Sequence, residues 1–365
     1  MSKVKILFFT NNLNRTGAEV VLYNLITRLN PDFFEIGIAC TSSLGELVPE
    51  LPKHIKCHFI NSYYSLIDKV RNQFGADPLL DRITKIQREN NYTIWYTNTL
   101  NTAFVLKYAP LFHVKTITHI HELASNYSYL SKDIFSLILQ SDMIVACSEL
   151  VYSEIHPVYS GNLKIIKSAI DTDYLDSIEF TNFNYAKGLI TFVCSGSVSD
   201  RKGTDLFLQI ANSFRKSNFQ FLWLGKFAEN GYSEWVKKWS DNLGLTNLKF
   251  ISPTNQIEYY SLLKSADIYL STSREESLGL SMMEAIYLKK PIIALNSGGS
   301  KLLVDDSYGV VIDSQDLNQI ILEMNLFLEN KLNKIEMKNS IKRLNEYNLS
   351  QEFNDWKDLL VQLSL

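Results

Sequence analysis

Glycine is scarce in this chain, with 15 residues in 365. Each glycine in a polar turn therefore marks a place where the backbone bends sharply or comes close to something else. Cysteine is scarcer. Cys40, Cys57, Cys147 and Cys194 form no C-x-x-C pair and no zinc-like spacing. Three of them, Cys40, Cys147 and Cys194, lie in apolar runs and read as buried free thiols, which suits a reducing compartment. No apolar run approaches the ~18 residues that signal a membrane-spanning helix. Ile6-Leu7-Phe8-Phe9 is too short for the core of a signal peptide. The expectation is a cytoplasmic protein, soluble or resting peripherally on the inner face of a membrane. A basic stripe is missing as well: the formal charge of −3 argues against nucleic acid, while a local basic face stays compatible with anionic lipid. No G-x-G-x-x-G follows either opening strand, which disfavours a dinucleotide-dependent dehydrogenase.

What is present is ordinary globular material, 46% hydrophobic and 21% charged, in a chain long enough for two domains at roughly 150 residues each. Val4 to Thr10 reads as a buried parallel strand. The polar loop Asn11 to Gly17 then opens a helix whose Val21, Leu22, Leu25, Ile26 and Leu29 share one face. Further strands are expected at 35–41, 93–96, 114–121 and 143–147, with helices between most of them, a pattern that gives a parallel sheet covered on both faces. The pattern restarts at Leu189–Ser195, followed by a polar loop, Gly203, and a helix with Leu206, Phe207, Ile210, Ala211 and Phe214 inward. More strands are expected at 219–224, 248–251, 268–270 and 291–295. The implied organisation is an N-terminal Rossmann-like domain over 1–165, a linker over 166–187, a second Rossmann-like domain over 188–349, and a final helix over 350–365 with Ser350 as its cap.

Three stretches carry chemistry. In Arg274-Glu275-Glu276-Ser277-Leu278-Gly279-Leu280-Ser281-Met282-Met283-Glu284, two glutamates flank seven residues just past a strand. Open α/β sheets bind ligands at strand carboxyl ends, and the free amides of a helix start suit a diphosphate. A carboxylate further along can accept from two ribose hydroxyls. The plainer reading is a pair of solvated glutamates on a surface helix. In Cys194-Ser195-Gly196-Ser197-Val198-Ser199-Asp200-Arg201-Lys202-Gly203, two cations precede a glycine that opens a helix. They can neutralise a departing diphosphate, or they can simply decorate a turn. In Thr118-His119-Ile120-His121-Glu122, the two histidines share a strand face. No third ligand stands at a recognisable spacing, so structural histidines are favoured over a metal site. Finally, in Arg15-Thr16-Gly17-Ala18-Glu19, Gly17 allows close backbone approach at a helix start, and Glu19 suits the helix dipole.

These segments resemble those of the retaining family 4 glycosyltransferases. Glu276-Ser277-Leu278-Gly279-Leu280 through Glu284 is similar to the family's E-x7-E motif with its usual E-G-F-G-L. Pro291-Ile292-Ile293-Ala294 and Gly298-Gly299 are similar to P-V-I-A and G-G. The loop ending in Lys202-Gly203 resembles G-R-L-x-x-x-K-G, with Ser197 where the family has arginine and Arg201 as the available substitute charge. Thr16-Gly17-Ala18-Glu19 resembles G-G-x-E, with threonine for the first glycine. The H-E pair resembles the family's H-D or H-E motif, which favours His121 over His119 as the residue near the donor sugar.

The resemblance implies the GT-B fold, two Rossmann-like doubly wound domains facing each other across a cleft, with the donor bound mainly by the C-terminal one. It implies catalytic roles for His121, Lys202, Arg201 and Glu276. Donor contacts are implied for Gly17, Gly196, Ser197, Arg201, Lys202, Gly225, Glu276, Ser277, Leu278, Gly279, Leu280 and Glu284. Glu284 would hold the donor ribose and Glu276 the transferred sugar. No metal and no cofactor is expected. Asp171-Thr172-Asp173 matches the D-x-D of the other large glycosyltransferase fold, but it falls in the linker and resembles the family's N-G-I-D.

The expected reaction is retaining transfer of a hexose-type sugar from a nucleoside diphosphate sugar to an acceptor hydroxyl. The commonest family acceptor is a lipid-linked glycan of bacterial surface polysaccharide. Tyr63, Tyr64, Tyr127 and Tyr129 in the first half are able to stack on sugar rings. A non-catalytic partner subunit, or an epimerase or phosphorylase of the same architecture, are the competing readings. The sequence holds no sign of an oligomeric state.

Overall fold

The computed structural model describes residues 3–62, 65–128, 130–183, 188–330, 332, 335 and 337–364. Tyr63, Tyr64 and Tyr129, together with 184–187 of the expected linker, lie outside the described residues. The chain divides into two units, Met1–Ser168 with Ser350–Leu365, and Ala169–Leu349.

The first unit is built on strands β1 (Val4–Thr10), β2 (Phe34–Cys40), β3 (Lys56–Phe59), β4 (Ile94–Asn98), β5 (Lys115–Ile120), β6 (Met143–Ala146) and β7 (Asn162–Ile165). They form one parallel sheet in the order β3-β2-β1-β4-β5-β6-β7. Successive residues of β1 point to opposite faces, and both faces are dry: Ile6 and Phe8 enter one apolar cluster, Leu7 and Phe9 another. That two-sided burial is why the strand reads as an unbroken apolar run. Helix α1 (Gly17–Arg28) lays Val21, Leu22, Leu25 and Ile26 on the sheet. Two more helices, α2 (Leu66–Gln73) and α3 (Pro78–Asn90), fall between β3 and β4. The last helix, Leu349–Leu363, buries Trp356, Leu359 and Leu360 in the same cluster as Ile6 and Phe8. Ser350 lies inside this helix and not at its cap, because Leu349 already packs on apolar neighbours and takes up helical backbone one residue earlier.

The second unit repeats the plan with β8 (Ile190–Ser195), β9 (Phe219–Leu224), β10 (Leu248–Ile251), β11 (Ile268–Ser271), β12 (Ile292–Leu295) and β13 (Gly309–Ile312). The sheet is parallel, in the order β10-β9-β8-β11-β12-β13. Cys194 pairs with Trp223 of β9, and Phe192 with Ile268 of β11. Helix Thr204–Ser213 buries Leu206, Phe207, Ile210 and Ala211 against this sheet.

Strands β3, β7 and β13, all at sheet edges, and the helix Thr172–Ser177 are additions to what the sequence pattern yields. Asp171 caps that helix by accepting from the Tyr174 amide at 3.1 Å, so one acid of the D-x-D is engaged in a helix cap. Ile166 belongs to the first core, while Ala169, Ile170, Leu175 and Ile178 belong to the second.

Candidate functional site

In the second sheet the strand order reverses between β8 and β11: the chain leaves β8 for β9 on one side and β11 for β12 on the other. Such a reversal opens a crevice at the strand carboxyl ends. The two loops that border it, 196–203 after β8 and 272–279 after β11, carry both sequence motifs. They are pressed together. Gly203 has φ of 66°, and a Cβ there would lie 1.9 Å from the Thr272 carbonyl oxygen. Any side chain would force the loops apart. Thr272 Oγ1 donates to the Lys202 carbonyl at 3.2 Å, and the Arg274 amide donates to the Arg201 carbonyl at 2.8 Å. The Arg274 guanidinium grips Asp205 with two bonds of 2.8 and 2.7 Å and also reaches the Asp200 carbonyl at 2.7 Å. This fork-to-fork geometry fixes orientation as well as charge.

The brace brings Lys202, Arg201 and Glu276 together. Lys202 Nζ donates to Glu276 Oε1, Ser273 Oγ donates to the same oxygen at 2.8 Å, and Arg201 Nη1 stands 3.4 Å from Oε2. Arg201 Nη1 also donates to the Glu275 carbonyl at 3.0 Å. Burial by itself would raise the Glu276 carboxyl; the Lys202 and Arg201 charges and the two side-chain hydrogen bonds outweigh it and hold the group below its ordinary value. Arg201 thus places a cation beside the site whose usual arginine position holds the exposed Ser197. The backbone of Glu276 is fixed too: its amide donates to Ser297 O and its carbonyl accepts from Gly299 N, both at 2.8 Å.

Glu284 sits half-buried in the helix Leu280–Tyr287. Each carboxylate oxygen meets a tyrosine hydroxyl: Tyr259 donates to Oε2 at 2.7 Å and Tyr260 to Oε1 at 2.9 Å. Ser195 Oγ donates to the Tyr259 oxygen at 3.0 Å, which ties the end of β8 into the same network. Burial pushes the Glu284 carboxyl up to about 7, against the lowering effect of the two tyrosines and of Lys202. Neither tyrosine was legible as a site residue. They lie on the helix Gln256–Ser265, more than twenty positions from Glu284, and no spacing rule links the two segments. The Arg274–Asp205 pair was missed for the same reason, whereas Ser273, three residues before Glu276, stands just outside the stretch that the sequence pattern marks.

The remaining residues of the second half fall on these loops. Gly196 follows β8, with the Lys202 side chain lying across it, 3.0 Å from a Cβ position. Gly225 ends β9, where a Cβ would strike the Gly196 carbonyl at 1.9 Å. Gly279 precedes the first turn of the helix, whose Met282 and Met283 amides return to the Gly279 carbonyl at 3.0 and 3.1 Å. Leu278 is in the core, whereas Ser277 and Leu280 are half-buried.

In the first unit the order reverses between β1 and β4. Beside that reversal the two histidines separate in role. His119 is fully buried, with Nδ1 2.5 Å from the Tyr96 hydroxyl and its ring edge-on to Trp356 at 4.9 Å. It is closed inside the core. His121 is half-buried just past the end of β5, its ring 3.9 Å from that of His119, and burial lowers its pKa to about 3, so the imidazole is neutral. Glu122 turns inward, accepting from the His121 amide at 3.1 Å and the Leu100 amide at 3.3 Å, and burial raises it to about 7. Thr99, at the reversal, has φ of 74°, a strained value for a β-branched residue. Gly17 is exposed at the start of α1, while Thr16 Oγ1 donates to the buried Glu19 carboxylate. Tyr127 rests against Phe135 with ring centres 5.6 Å apart.

Two parallel, doubly wound units, one presenting a lysine, an arginine and two acids at its strand-order reversal, define a Rossmann-like pair of the GT-B type. Comparison with known proteins agrees. The family model described as glycosyl transferases group 1 matches residues 177–347, and that of glycosyltransferase family 4 matches residues 15–174. Each half of the chain thus matches a glycosyltransferase model. A probable sucrose-phosphate synthase of Thermosipho melanesiensis is 21% identical over 45% of this chain and 40% of its own length. The chain thus spans less than half the length of that curated relative. Among solved structures, sucrose-phosphate synthase from Thermosynechococcus elongatus covers 99% of both chains at 15% identity with a TM-score of 0.79. Anabaena HepE, in complex with UDP and glucose, covers 98% of this chain and 100% of its own at 16% identity with a TM-score of 0.77. At such identities the likeness is one of fold.

Proposed function

We propose that this protein transfers a hexose-type sugar, with retention, from a nucleoside diphosphate sugar to an acceptor hydroxyl. The observation that carries the reading is the meeting of Lys202, Arg201 and Glu276 at the β8–β11 reversal, with Glu284 one helix further on. Lys202 and Arg201 take the diphosphate with the amides at the start of the helix Leu280–Tyr287, Glu284 accepts from the ribose hydroxyls, and Glu276 faces the sugar. The glycines Gly196 and Gly225 and the turn Ser277-Leu278-Gly279-Leu280 let the backbone approach the donor. Gly17 and His121 keep the roles that the family resemblance implies for them, the latter as a neutral imidazole able to bond a sugar hydroxyl.

In the proposed reaction the C1–O bond to the β-phosphate breaks with its electron pair passing to the leaving nucleoside diphosphate. The acceptor oxygen bonds to C1 from the same face, and its proton goes to a phosphate oxygen. Lys202 and Arg201 stabilise the growing phosphate charge where water is limited. No metal or cofactor takes part in this scheme. UDP-glucose is the first donor to test, since the Anabaena neighbour was solved with UDP and glucose. The acceptor we propose is a lipid-linked glycan of surface polysaccharide, on family grounds. The test is a thermal-shift screen of nucleoside diphosphate sugars, because a ligand that binds only the folded state raises its melting point. A shift with at least one sugar nucleotide, accompanied by release of the diphosphate when acceptor is added, is expected. No shift with any of them would remove the reading.

A further inference from the structure

Helix α2 is mounted on the first unit with its polarity reversed. A surface helix ordinarily turns its apolar stripe to the core. Here Leu66, Val70 and Phe74 follow at four-residue spacing with Ile67 beside them, and they are 81%, 52%, 87% and 73% exposed, in that order. The polar edge is the one that faces the protein. Asp68 is buried, accepts from Arg82 Nη2 at 2.6 Å, and closes a capping box with Ser65. Arg71 Nη2 donates to Asp81 at 2.7 Å. Both partners lie on α3, so the two ion pairs anchor α2 by its polar side and leave the apolar stripe outward. Turning the stripe to the core would break both pairs and leave the buried polar contacts to Arg82 unmade.

Most acids near the stripe are already engaged, and the cations left over outnumber the acids left over. Asp68 and Asp81 are neutralised as just described, and Asp77 caps α3 while accepting from the Tyr108 hydroxyl at 2.5 Å. Lys69 on α2, and Lys85 and Arg88 along the exposed side of α3, have no carboxylate partner among the described residues. Glu89 is the acid beside them. The local surplus is positive on a chain whose formal charge is −3. A second copy seated on the same stripe would set these cations against their own equivalents, a like-charge meeting that association avoids.

We propose that this face docks on an anionic lipid surface, with Leu66, Ile67, Val70 and Phe74 entering the headgroup–acyl boundary and Lys69, Lys85 and Arg88 meeting lipid phosphates. Among the described residues no helix is long and apolar enough to cross a membrane, and a two-turn amphipathic helix gives reversible surface binding. The inference stands on the first unit alone and does not depend on the sugar-transfer reading.

The test is co-sedimentation of the full chain with vesicles of phosphatidylcholine and phosphatidylglycerol, against phosphatidylcholine alone, at low and raised salt. Wild type is expected to sediment with the anionic vesicles and to be released by salt. The double substitution Leu66→Ser, Phe74→Ser should weaken binding by roughly tenfold or more, from the apolar area withdrawn. Lys69→Glu with Lys85→Glu should remove most of the salt dependence. Because all four positions are exposed, melting points unchanged from wild type would show that folding is intact. Wild type that stays in the supernatant, serine variants that sediment as wild type does, or a wild-type dimer abolished by the serine changes without vesicle binding, would each overturn the proposal. Donor binding measured on the same variants should be unaltered, which separates this test from that of the reaction.

Discussion

The hydroxyl of Tyr259 donates to Glu284 Oε2 at 2.7 Å while accepting from Ser195 Oγ at 3.0 Å. One phenol therefore couples the end of β8 to the acid proposed to hold the ribose. Burial lifts that acid to about 7, and the tyrosines restrain the rise. Ribose hydroxyls donate to a carboxylate, so only the deprotonated form grips them fully. Nucleotide affinity should strengthen as pH rises through about 7. Tyr259→Phe removes a bond to the charged form, so the midpoint should move to higher pH. Calorimetric titration of UDP across pH checks both. Stability runs the other way: between 4.5 and about 7 the folded chain keeps a proton that the unfolded chain has released, so this group withdraws stability as pH climbs through that window.

The Lys202–Glu276 pair has the opposite sign. The Glu276 carboxyl is held below its ordinary 4.5, so the pair stabilises the fold above that value, and the contribution is lost as pH falls through the depressed pKa. Lys202→Ala leaves the acid with Arg201 and Ser273, and should cost about 2 kcal/mol in urea unfolding at neutral pH. Turnover should fall by about a hundredfold or more, since a charge that stabilises a leaving phosphate acts chiefly in the transition state. An alanine variant with wild-type turnover would take Lys202 out of the site.

His119 and His121 should answer differently to the same change. His119→Ala opens a fully buried cavity and strands the Tyr96 hydroxyl, at a cost of about 3 kcal/mol. His121→Ala should cost less than about 1 kcal/mol, yet lower turnover. Paired unfolding curves and initial rates decide the matter.

The sequence alone placed most interior strands to within a residue or two, because strands buried on both faces leave unbroken apolar runs. It was silent on β3, β7 and β13. The edge strands Lys56–Phe59 and Asn162–Ile165 are exposed or half-buried and polar in part, so no run marks them, and Gly309–Ile312 is apolar but only four residues long. The segments bearing Lys202, Glu276 and Glu284 were legible for a related reason: each is a short stretch next to a strand end, with glycine at its turn. Their braces were not. The Arg274–Asp205 fork and the Tyr259–Glu284 bond join positions far apart in the chain, and only the fold makes them neighbours. Histidine was an intermediate case. Spacing put His119 and His121 on one face, but burial separated the core residue from the half-exposed one.

The acids of 171–173 give a negative control. Asp171 accepts from the Tyr174 amide at 3.1 Å as a helix cap. Asp171→Ala should therefore cost about 1 kcal/mol and leave UDP affinity unchanged. Turnover should survive EDTA; its loss would assign these acids, or others, a metal.

The central claim is that the second unit grips a nucleoside diphosphate through Lys202 and its ribose through Glu284. Calorimetric titration of UDP into wild type, Lys202→Ala and Glu284→Gln tests it directly. Affinity is expected to fall by about tenfold or more in each variant, the loss of one charge-assisted contact. Binding by both variants as tight as that of wild type would contradict the claim.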